Sequence, residues 1–569
     1  MRKYVFPEHI SADSFPELLE LTKSAAIVQF LVRRGITSIS ELEKFKKGAD
    51  IIDHKDIWKI DEVAKTIINY VSNNKKICVY GDYDVDGMVA ASIMWRYLSK
   101  ELGAKSTIYI PNRQEEGYGL NNDALEDISS QGYEVVITVD CGVRDVDLIA
   151  EWSKKGLDII VTDHHQPGDK IPNCPIVHPL YPKHEATNQF TSGSVVAWKL
   201  IRTMEEEKAV GHDFSDSVID LVGLSLVTDI MPLLGENRAI IIKALAKARS
   251  NPSLPIKLIL LSQQVQPDQC DMYHLGFMIG PRLNSTGRVG DAYQTVRLLS
   301  TDKEEFALSL LSEIESTNIQ RQSIMKRVFE EADQSKVLVR ESLIIAYGEG
   351  WEDGVIGLVA GRLLQRYDMP TIVMTKDKSN GSIKGSARSI TNLNITAVLD
   401  GIKDSLLKYG GHHAAAGFTV KDSSHEEFIS IIEKHLAEEY TNYVPENTRT
   451  IDISISPRDL SEDLMKGIEM LEPYGQGNFA PIVSIKGQIH QINMMGAMGE
   501  HARIQLSSSD SIVTCVFFSA KAVVGKFIQG DSVTFVGKVK RNTFRGNTEI
   551  QFYVDDVIDY SPNEAMAGM

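Results

Sequence analysis

Three short apolar runs, Ile77-Cys78-Val79-Tyr80, Val135-Val136-Ile137-Thr138-Val139 and Ile159-Ile160-Val161-Thr162, each stop directly at acid: Gly81-Asp82, Asp140 and Asp163-His164-His165. Stretches of helical pattern lie between them, after Met88 and around Asp145 to Trp152. Strand-like runs alternating with helices build a parallel sheet from βαβ units. Ligands of open α/β sheets sit beyond the carboxyl ends of the strands, so if these strands are parallel neighbours their acids share one rim.

The densest part of that rim is Gly81-Asp82-Tyr83-Asp84-Val85-Asp86-Gly87, whose alternating carboxylates would share one face of an extended segment. The opening D-x-D-x-D-G fits an EF-hand, but position twelve of the loop is Ile93 rather than a bidentate glutamate and a β run precedes it, which argues against that reading. A solvated acidic turn is the ordinary reading of Asp82 to Asp86 taken alone. Its context argues otherwise: two unit charges 4 Å apart repel by about 4 kcal/mol at an effective dielectric near 20. Converging carboxylates therefore need a bound cation or raised pKa values. Carboxylates with imidazole and no thiolate favour Mn²⁺ or Mg²⁺ over structural zinc, imidazole tilting the choice toward manganese. The number of carboxylates suggests two ions, and a pair about 3.5–4 Å apart is suited to phosphoester hydrolysis. In Leu226-Val227-Thr228-Asp229 an aspartate again closes an apolar run. Alone, Asp229 would be a helix-end acid and His164 a hydrogen-bonded core histidine; their co-occurrence with the other acids is the signal.

The chain has 569 residues, enough for three or four domains. Sixty basic against 77 acidic side chains leave a net charge of −17, so any polyanion must be met by a local basic patch or by bound cations. Five scattered cysteines without a CxxC pair argue against a disulfide framework or a zinc site. Neither a signal-peptide run nor a stretch of about 18 apolar residues is present, and a cytoplasmic protein is expected. Residues 1–70 have helical spacing. From about 303 to 340 apolar positions lie among many charges, as in long connecting helices. A second α/β pattern starts at Leu343, and beyond about 446 short β runs punctuated by turns suit a small barrel. There Lys538, Lys540, Arg541 and Arg545 interleave with Phe535 and Phe544, a combination that holds single strands by backbone charge and base stacking. Phe535 is equally consistent with a core position.

The four blocks GDYDVDG, VDCG, TDHH and VTDI, in this order, resemble the signature of the DHH phosphoesterase superfamily. Within it the chain closely resembles the RecJ-type exonucleases, which degrade single-stranded DNA from the 5′ end. Further matching blocks are Pro111-Asn112-Arg113 with Glu116-Gly117-Tyr118-Gly119-Leu120, Pro281-Arg282-Leu283-Asn284 with Gly287-Arg288, Lys384 to Ser389, Gly410 to Gly417, and Leu471 to Asn478. The resemblance implies an α/β fold, with a DHH parallel-sheet domain joined by a long helix to a smaller α/β DHH-associated domain, and a C-terminal all-β oligonucleotide-binding (OB) barrel. The expected boundaries are 1–300 for the catalytic domain with its helical N-terminal region, 301–340 for the connector, 341–445 for the DHH-associated domain and 446–560 for the barrel.

By the same resemblance Asp82, Asp84, Asp86, Asp140, His164 and Asp229 hold two Mn²⁺ or Mg²⁺ ions, Asp140 bridging them, while Asp163 and His165 orient ligands or touch the scissile phosphate. Arg113, Ser386 and Arg388 match a pocket for the terminal phosphate, a task suited to the two-pronged guanidinium. Arg282, Asn284 and Arg288 are placed along the path of the DNA, and His412 contacts substrate or shapes its glycine-rich turn. The implied partners are single-stranded DNA, a single-stranded-DNA-binding protein and a RecQ-type helicase. Two rival readings remain at this level: a small-substrate phosphodiesterase acting on short RNA, cyclic dinucleotides or pyrophosphate, and a non-catalytic replication-associated strand-binding protein. The region after 446 speaks against the first, and the intact Asp and His positions against the second.

Overall fold

The computed structural model describes residues 2–49, 52–113, 115–181, 188–377, 381–420, 424–496, 498–544 and 547–561. The chain divides into two compact units, Ala49–Asn447 with Gly475–Gly477, and Arg2–Gly48 with Thr448–Tyr474 and the residues from Asn478 onward.

The first unit opens with a five-stranded sheet: β1 (Ile77–Tyr80), β2 (Ser106–Tyr109), β3 (Val135–Val139), β4 (Asp158–Thr162) and β5 (Ile176–Val177), in the order β2-β1-β3-β4-β5. Every pairing is parallel, with Tyr80 level with Thr138 and Val139 level with Thr162. The acid-tipped strands β1, β3 and β4 are thus adjacent and end together, as their sequence pattern requires. Alternate residues feed two cores. Ile77, Val79 and Ile137 face helices that include α1 (Val85–Arg96), α2 (Gly193–Glu207) and α3 (Ile219–Thr228), whereas Cys78, Tyr80 and Val136 pack with Leu125, Ile149 and Trp152. A sheet covered on both faces explains why its strands are continuous apolar runs. β2 and β5 were not legible as strands: β5 has only two residues, β2 is a half-buried edge strand, and neither ends in acid.

Helix α4 (Gly280–Val289) precedes the long α5 (Glu304–Ser335), whose 32 residues span roughly 48 Å at 1.5 Å per residue. Its first half buries Leu310, Leu311 and Ile314 in the first core; its second half buries Val328, Phe329 and Ala332 against Trp351, Val355 and Val373. A second sheet follows: β6 (Val337–Val339), β7 (Leu343–Glu349), β8 (Thr371–Lys376), β9 (Ile383–Arg388), β10 (Leu406–His412) and β11 (Ala415–Val420), ordered β10-β11-β9-β8-β7-β6 and flanked by α6 (Asp353–Tyr367). Only β7 and β8 run parallel among its pairings.

The second unit is built on β12 (Val483–Met495), β13 (His501–Ser508), β14 (Ser511–Phe517), β15 (Ser532–Phe544) and β16 (Asn547–Ser561). The β12–β15 pairing closes these five strands into a barrel. The structure departs here from the expected grouping of residues 1–300. Ile27, Phe30 and Leu31 of the N-terminal helices share one core with Leu464, Ile485 and Phe535, so residues 2–48 belong to the barrel unit. Their amphipathic spacing signalled a buried face but not its partner. Residues 2–5 are a strand paired with Asn447–Thr450 rather than part of a helix. Among the described residues no helix is long and apolar enough to cross a membrane, and all five cysteines are free thiols.

Candidate metal centre

The GDYDVDG block is not a uniformly extended segment. Asp84 is the N-cap of α1, accepting the Gly87 amide at 3.1 Å, and Asp86 lies in the first helical turn. An aspartate at this position satisfies one of the helix's free amides and is among the preferred residues for beginning a helix. Capping therefore overrides the alternation and turns the three carboxylates around the helix start. Asp140 follows β3 with φ of 63°, its amide held by the Thr162 carbonyl at 3.0 Å. Asp163, His164 and His165 follow β4, and Asp229 caps the C-terminus of α3.

These elements converge. His164 Nε2 lies 3.0 Å from Asp140 Oδ1, 3.6 Å from Asp229 Oδ2 and 3.8 Å from Asp86 Oδ2. Three overlapping sets have ligand atoms within 4.8 Å of one another: Asp82, Asp84 and Asp140; Asp86, His164 and Asp229; Asp140, His164 and His165. Asp82 Oδ1, Asp140 Oδ1, His164 Nε2 and Asp229 Oδ2 are all buried without a hydrogen-bond partner. Four orphaned polar atoms aimed at one place cost too much to persist uncompensated. This donor set, oxygen-rich with one imidazole, fits hard divalent cations.

The electrostatics agree. Burial, then the neighbouring Asp84, pushes the Asp82 carboxyl up to about 8. Burial followed by Asp86 raises Asp84, and carries Asp140 and Asp229 well above the carboxylate range. Asp163 behaves oppositely: burial would raise it, but the His165 hydrogen bond, both imidazoles and the Val143 amide hold it below its ordinary value. Its carboxylate also accepts the amides of His164 at 2.7 Å and His165 at 3.0 Å, which fixes the loop carrying both histidines. Burial lowers His164, whereas Asp163, 2.9 Å from His165 Nδ1, overcomes burial and raises His165.

Several contributors escaped the sequence reading. Asp86 accepts the amides of Gly193 at 2.6 Å and Ser194 at 2.8 Å, and the Ser225 hydroxyl. A signal existed, since Thr191-Ser192-Gly193-Ser194 ahead of an apolar run is a helix-start pattern. The Tyr118 hydroxyl lies 3.0 Å from His165, presented by a turn between Gly117 and Gly119, both at positive φ.

The remaining residues separate into three groups. Arg113 sits 5.0 Å over the Tyr83 ring, and Arg388 donates to Ser386 Oγ at 3.0 Å. Arg288 donates to the Gly354 carbonyl of α6, and burial with Arg113, Arg321 and Arg388 nearby draws its pKa down to about 10. Arg113, Arg288, Ser386 and Arg388 thus form one cationic corner beside Asp84. His412 is exposed, level with Arg388 two strands away.

The second group is committed to the protein itself. Arg282 donates to Glu315 at 2.6 Å, to the Met278 carbonyl and to Gln263. Asn284 accepts the Val85 amide at 3.1 Å and so buttresses the acidic loop. In the barrel, Arg541 is clamped by Glu462 and Glu469, and Phe535 is wholly buried. The expected basic and aromatic interleaving is thereby reduced to its third group, the exposed Lys538 and Lys540. Arg545 and the Phe544 side chain lie outside the described residues.

Comparison with known proteins accords with this architecture. Residues 76–225 match the DHH family N-terminal domain, 340–438 the DHHA1 domain and 451–556 the RecJ OB domain. A single-stranded-DNA-specific exonuclease RecJ of Bacillus subtilis is 30% identical over 97% of this chain and 70% of its own length. The Salmonella typhimurium protein of that name is 28% identical over 92% of this chain and 94% of its own. The crystal structure of Thermus thermophilus RecJ with Mn²⁺ shares the fold, with a TM-score of 0.83 at 23% identity over 98% of this chain and 80% of that one. Its order of domains, its acid-rimmed sheet and its full-length similarity place this chain in the RecJ family of single-stranded-DNA-specific exonucleases.

Proposed function

We propose that the protein is a metal-dependent exonuclease that hydrolyses single-stranded DNA from its 5′ end, in DNA repair and recombination. The observation that carries this reading is the convergence of orphaned Asp82, Asp140, Asp229 and His164 atoms at the sheet rim. Family members from Bacillus subtilis and Salmonella typhimurium are named single-stranded-DNA-specific exonucleases. Asp82, Asp84, Asp86, Asp140, His164 and Asp229 are the residues to hold two Mn²⁺ or Mg²⁺ ions, with Asp140 common to two of the ligand sets. The chemistry such ions supply is Lewis-acid polarisation of the phosphoryl group and activation of the attacking water.

The protein's own groups do the rest. Gly193, Ser194 and Ser225 lock Asp86 in one rotamer, so its ligand geometry is set before substrate arrives. Asp163 holds His165 by Nδ1 and favours its cationic form, a hydrogen-bond donor toward the charge that develops on the scissile phosphate. Arg113, Ser386 and Arg388, with Arg288 alongside, take the terminal phosphate: crowded guanidinium groups with few carboxylates among them need an anion. A phosphate site beside a hydrolytic centre sets polarity by measuring from the 5′ end. His412 reaches substrate from the edge of the second sheet, and Lys538 and Lys540 hold the DNA backbone on the barrel.

The barrel favours long strands over the small substrates of the first rival reading, and the orphaned ligand atoms favour catalysis over the second. Partnership with a single-stranded-DNA-binding protein and a RecQ-type helicase, and a cytoplasmic location consistent with five free thiols, belong to the same proposal. The test is Mn²⁺-dependent digestion of single strands labelled at either end, with and without a 5′ phosphate. Early release of the 5′ label, faster when the phosphate is present, is expected; early release of the 3′ label refutes the polarity, and no release refutes the activity.

A further inference from the structure

The last turn of α2 carries a second group of metal-binding side chains, about 20 Å along the helix from the amides that hold Asp86. We propose that His54, His212 and Glu206 bind one Zn²⁺ ion there, at a structural site separate from the hydrolytic centre.

Glu206 Oε1 is the meeting point. It lies 2.7 Å from His54 Nε2 and 3.6 Å from His212 Nε2. Two ligands bound about 2.0–2.1 Å from a tetrahedral zinc ion stand roughly 3.3 Å apart, a value that these two distances bracket. The two imidazole centroids are 5.6 Å apart, near the roughly 5 Å of rings that share such an ion. His54 Nε2 is buried and has no hydrogen-bond partner, its contact with the carboxylate lying off the line of an N–H bond. A buried nitrogen that faces a carboxylate oxygen without a hydrogen bond between them is placed as two ligands of one cation are placed.

The chemistry of each donor points the same way. Burial lowers the His54 pKa, with Arg202 and His212 adding to it against Glu206, so the ring is neutral at physiological pH and offers a lone pair. His212 Nδ1 is held 3.2 Å from the buried Glu205 carboxylate. Ligating histidines are oriented in this way by a carboxylate on the other nitrogen, which leaves Nε2 for the metal. Glu205 and Glu206 stand at the C-terminal end of α2, where the helix dipole adds negative potential. Lys55 pairs with the other Glu206 oxygen at 2.9 Å and leaves Oε1 to the imidazoles. Two imidazoles with one carboxylate select zinc, whereas the oxygen-rich sheet rim suits Mn²⁺ or Mg²⁺.

The loops that bring the histidines are themselves anchored to α2. Asp56, two residues after His54, meets Lys199 at 2.8 Å, two helical turns before Glu206. Ser215, three residues after His212, accepts Trp198 Nε1 through its carbonyl at 2.9 Å and donates its amide to Glu205 at 3.2 Å. A zinc ion here pins both loops to the helix whose first turn sets Asp86.

The experiment is anomalous diffraction at the zinc edge from crystals of the intact protein grown with Mn²⁺ in excess over Zn²⁺, with zinc affinity measured by calorimetry in the same buffer. One zinc peak among His54, His212 and Glu206 is expected, and saturating Zn²⁺ should raise the melting temperature by a few degrees. His212→Ala and His54→Gln should each weaken zinc binding about tenfold or more and remove the melting shift, while kcat in Mn²⁺ stays unchanged. Asp140→Ala, which breaks the hydrolytic centre, should keep both the peak and the shift. Zinc confined to the sheet rim, or a zinc affinity unchanged in either histidine variant, overturns the assignment and leaves the cluster a set of ion pairs.

Discussion

Gly193→Ala is the substitution whose effect follows most directly from the geometry of the centre. Gly193 opens α2 and donates its amide to Asp86. A methyl group there would stand 2.6 Å from Asp140 Cβ and 2.9 Å from its Cα, some 0.8 Å short of ordinary contact at 3.4 Å. Asp140 has little freedom to retreat: its backbone is at positive φ, its amide is bonded to Thr162, and its side chain is buried. Relief therefore moves either Asp140 or the start of α2, and the latter pulls two amides from Asp86. Overpacking of this kind costs about 1–3 kcal/mol of stability. A ligand displaced by the better part of an ångström costs roughly 10²-fold in rate. The assay is kcat for nucleotide release in saturating Mn²⁺, with melting temperature measured in parallel. Gly361→Ala, in α6 where a Cβ meets nothing within 4 Å, is the control and should stabilise by up to about 1 kcal/mol. Wild-type kcat and metal affinity in Gly193→Ala would refute the claim that α2 and Asp140 jointly define the centre.

Three further outcomes are expected. In the cation-free protein Asp82, Asp84, Asp140 and Asp229 have raised folded-state pKa values, so their stabilising contribution is full below the ordinary carboxylate pKa and is lost as pH rises through the folded values, about 8 for Asp82. Melting curves without cation should fall across that window, and calorimetry should record proton release on Mn²⁺ binding; a pH-independent melt would contradict it. Lys199 is buried between Asp56 and Glu236 at 2.8 Å each, so Lys199→Ala removes the buried cation that both carboxylates share and should cost about 3–5 kcal/mol in denaturant unfolding. Arg541→Ala should leave strand affinity unchanged and cost at most about 1 kcal/mol, because its partners are partly exposed, whereas Lys538→Glu with Lys540→Glu should weaken binding and flatten its salt dependence.

The acid at the tip of each of β1, β3 and β4 made both the sheet and the centre legible, because strand order and polarity follow from βαβ alternation and the acids then have one place to go. What stayed hidden was contributed at a distance. The partner of the N-terminal helices lies more than four hundred residues along the chain, and an amphipathic face does not name the surface it covers. Asp84 was misplaced on an extended segment, although aspartate three residues before glycine at the start of an apolar run is also a cap signal. Arg282 and Arg541 show a further limit of the sequence. A basic residue in a suggestive block carries no mark of the carboxylate that folding will bring to it, here Glu315 in one case and Glu462 with Glu469 in the other.

The central claim is that the sheet rim is a two-cation site. Anomalous diffraction from crystals grown with Mn²⁺ tests it directly. Two peaks are expected, one among Asp82, Asp84 and Asp140 and one among Asp86, His164 and Asp229, both weakened in Asp140→Ala crystals. An intact protein that shows no manganese at these residues, or binds it only elsewhere, would contradict the account.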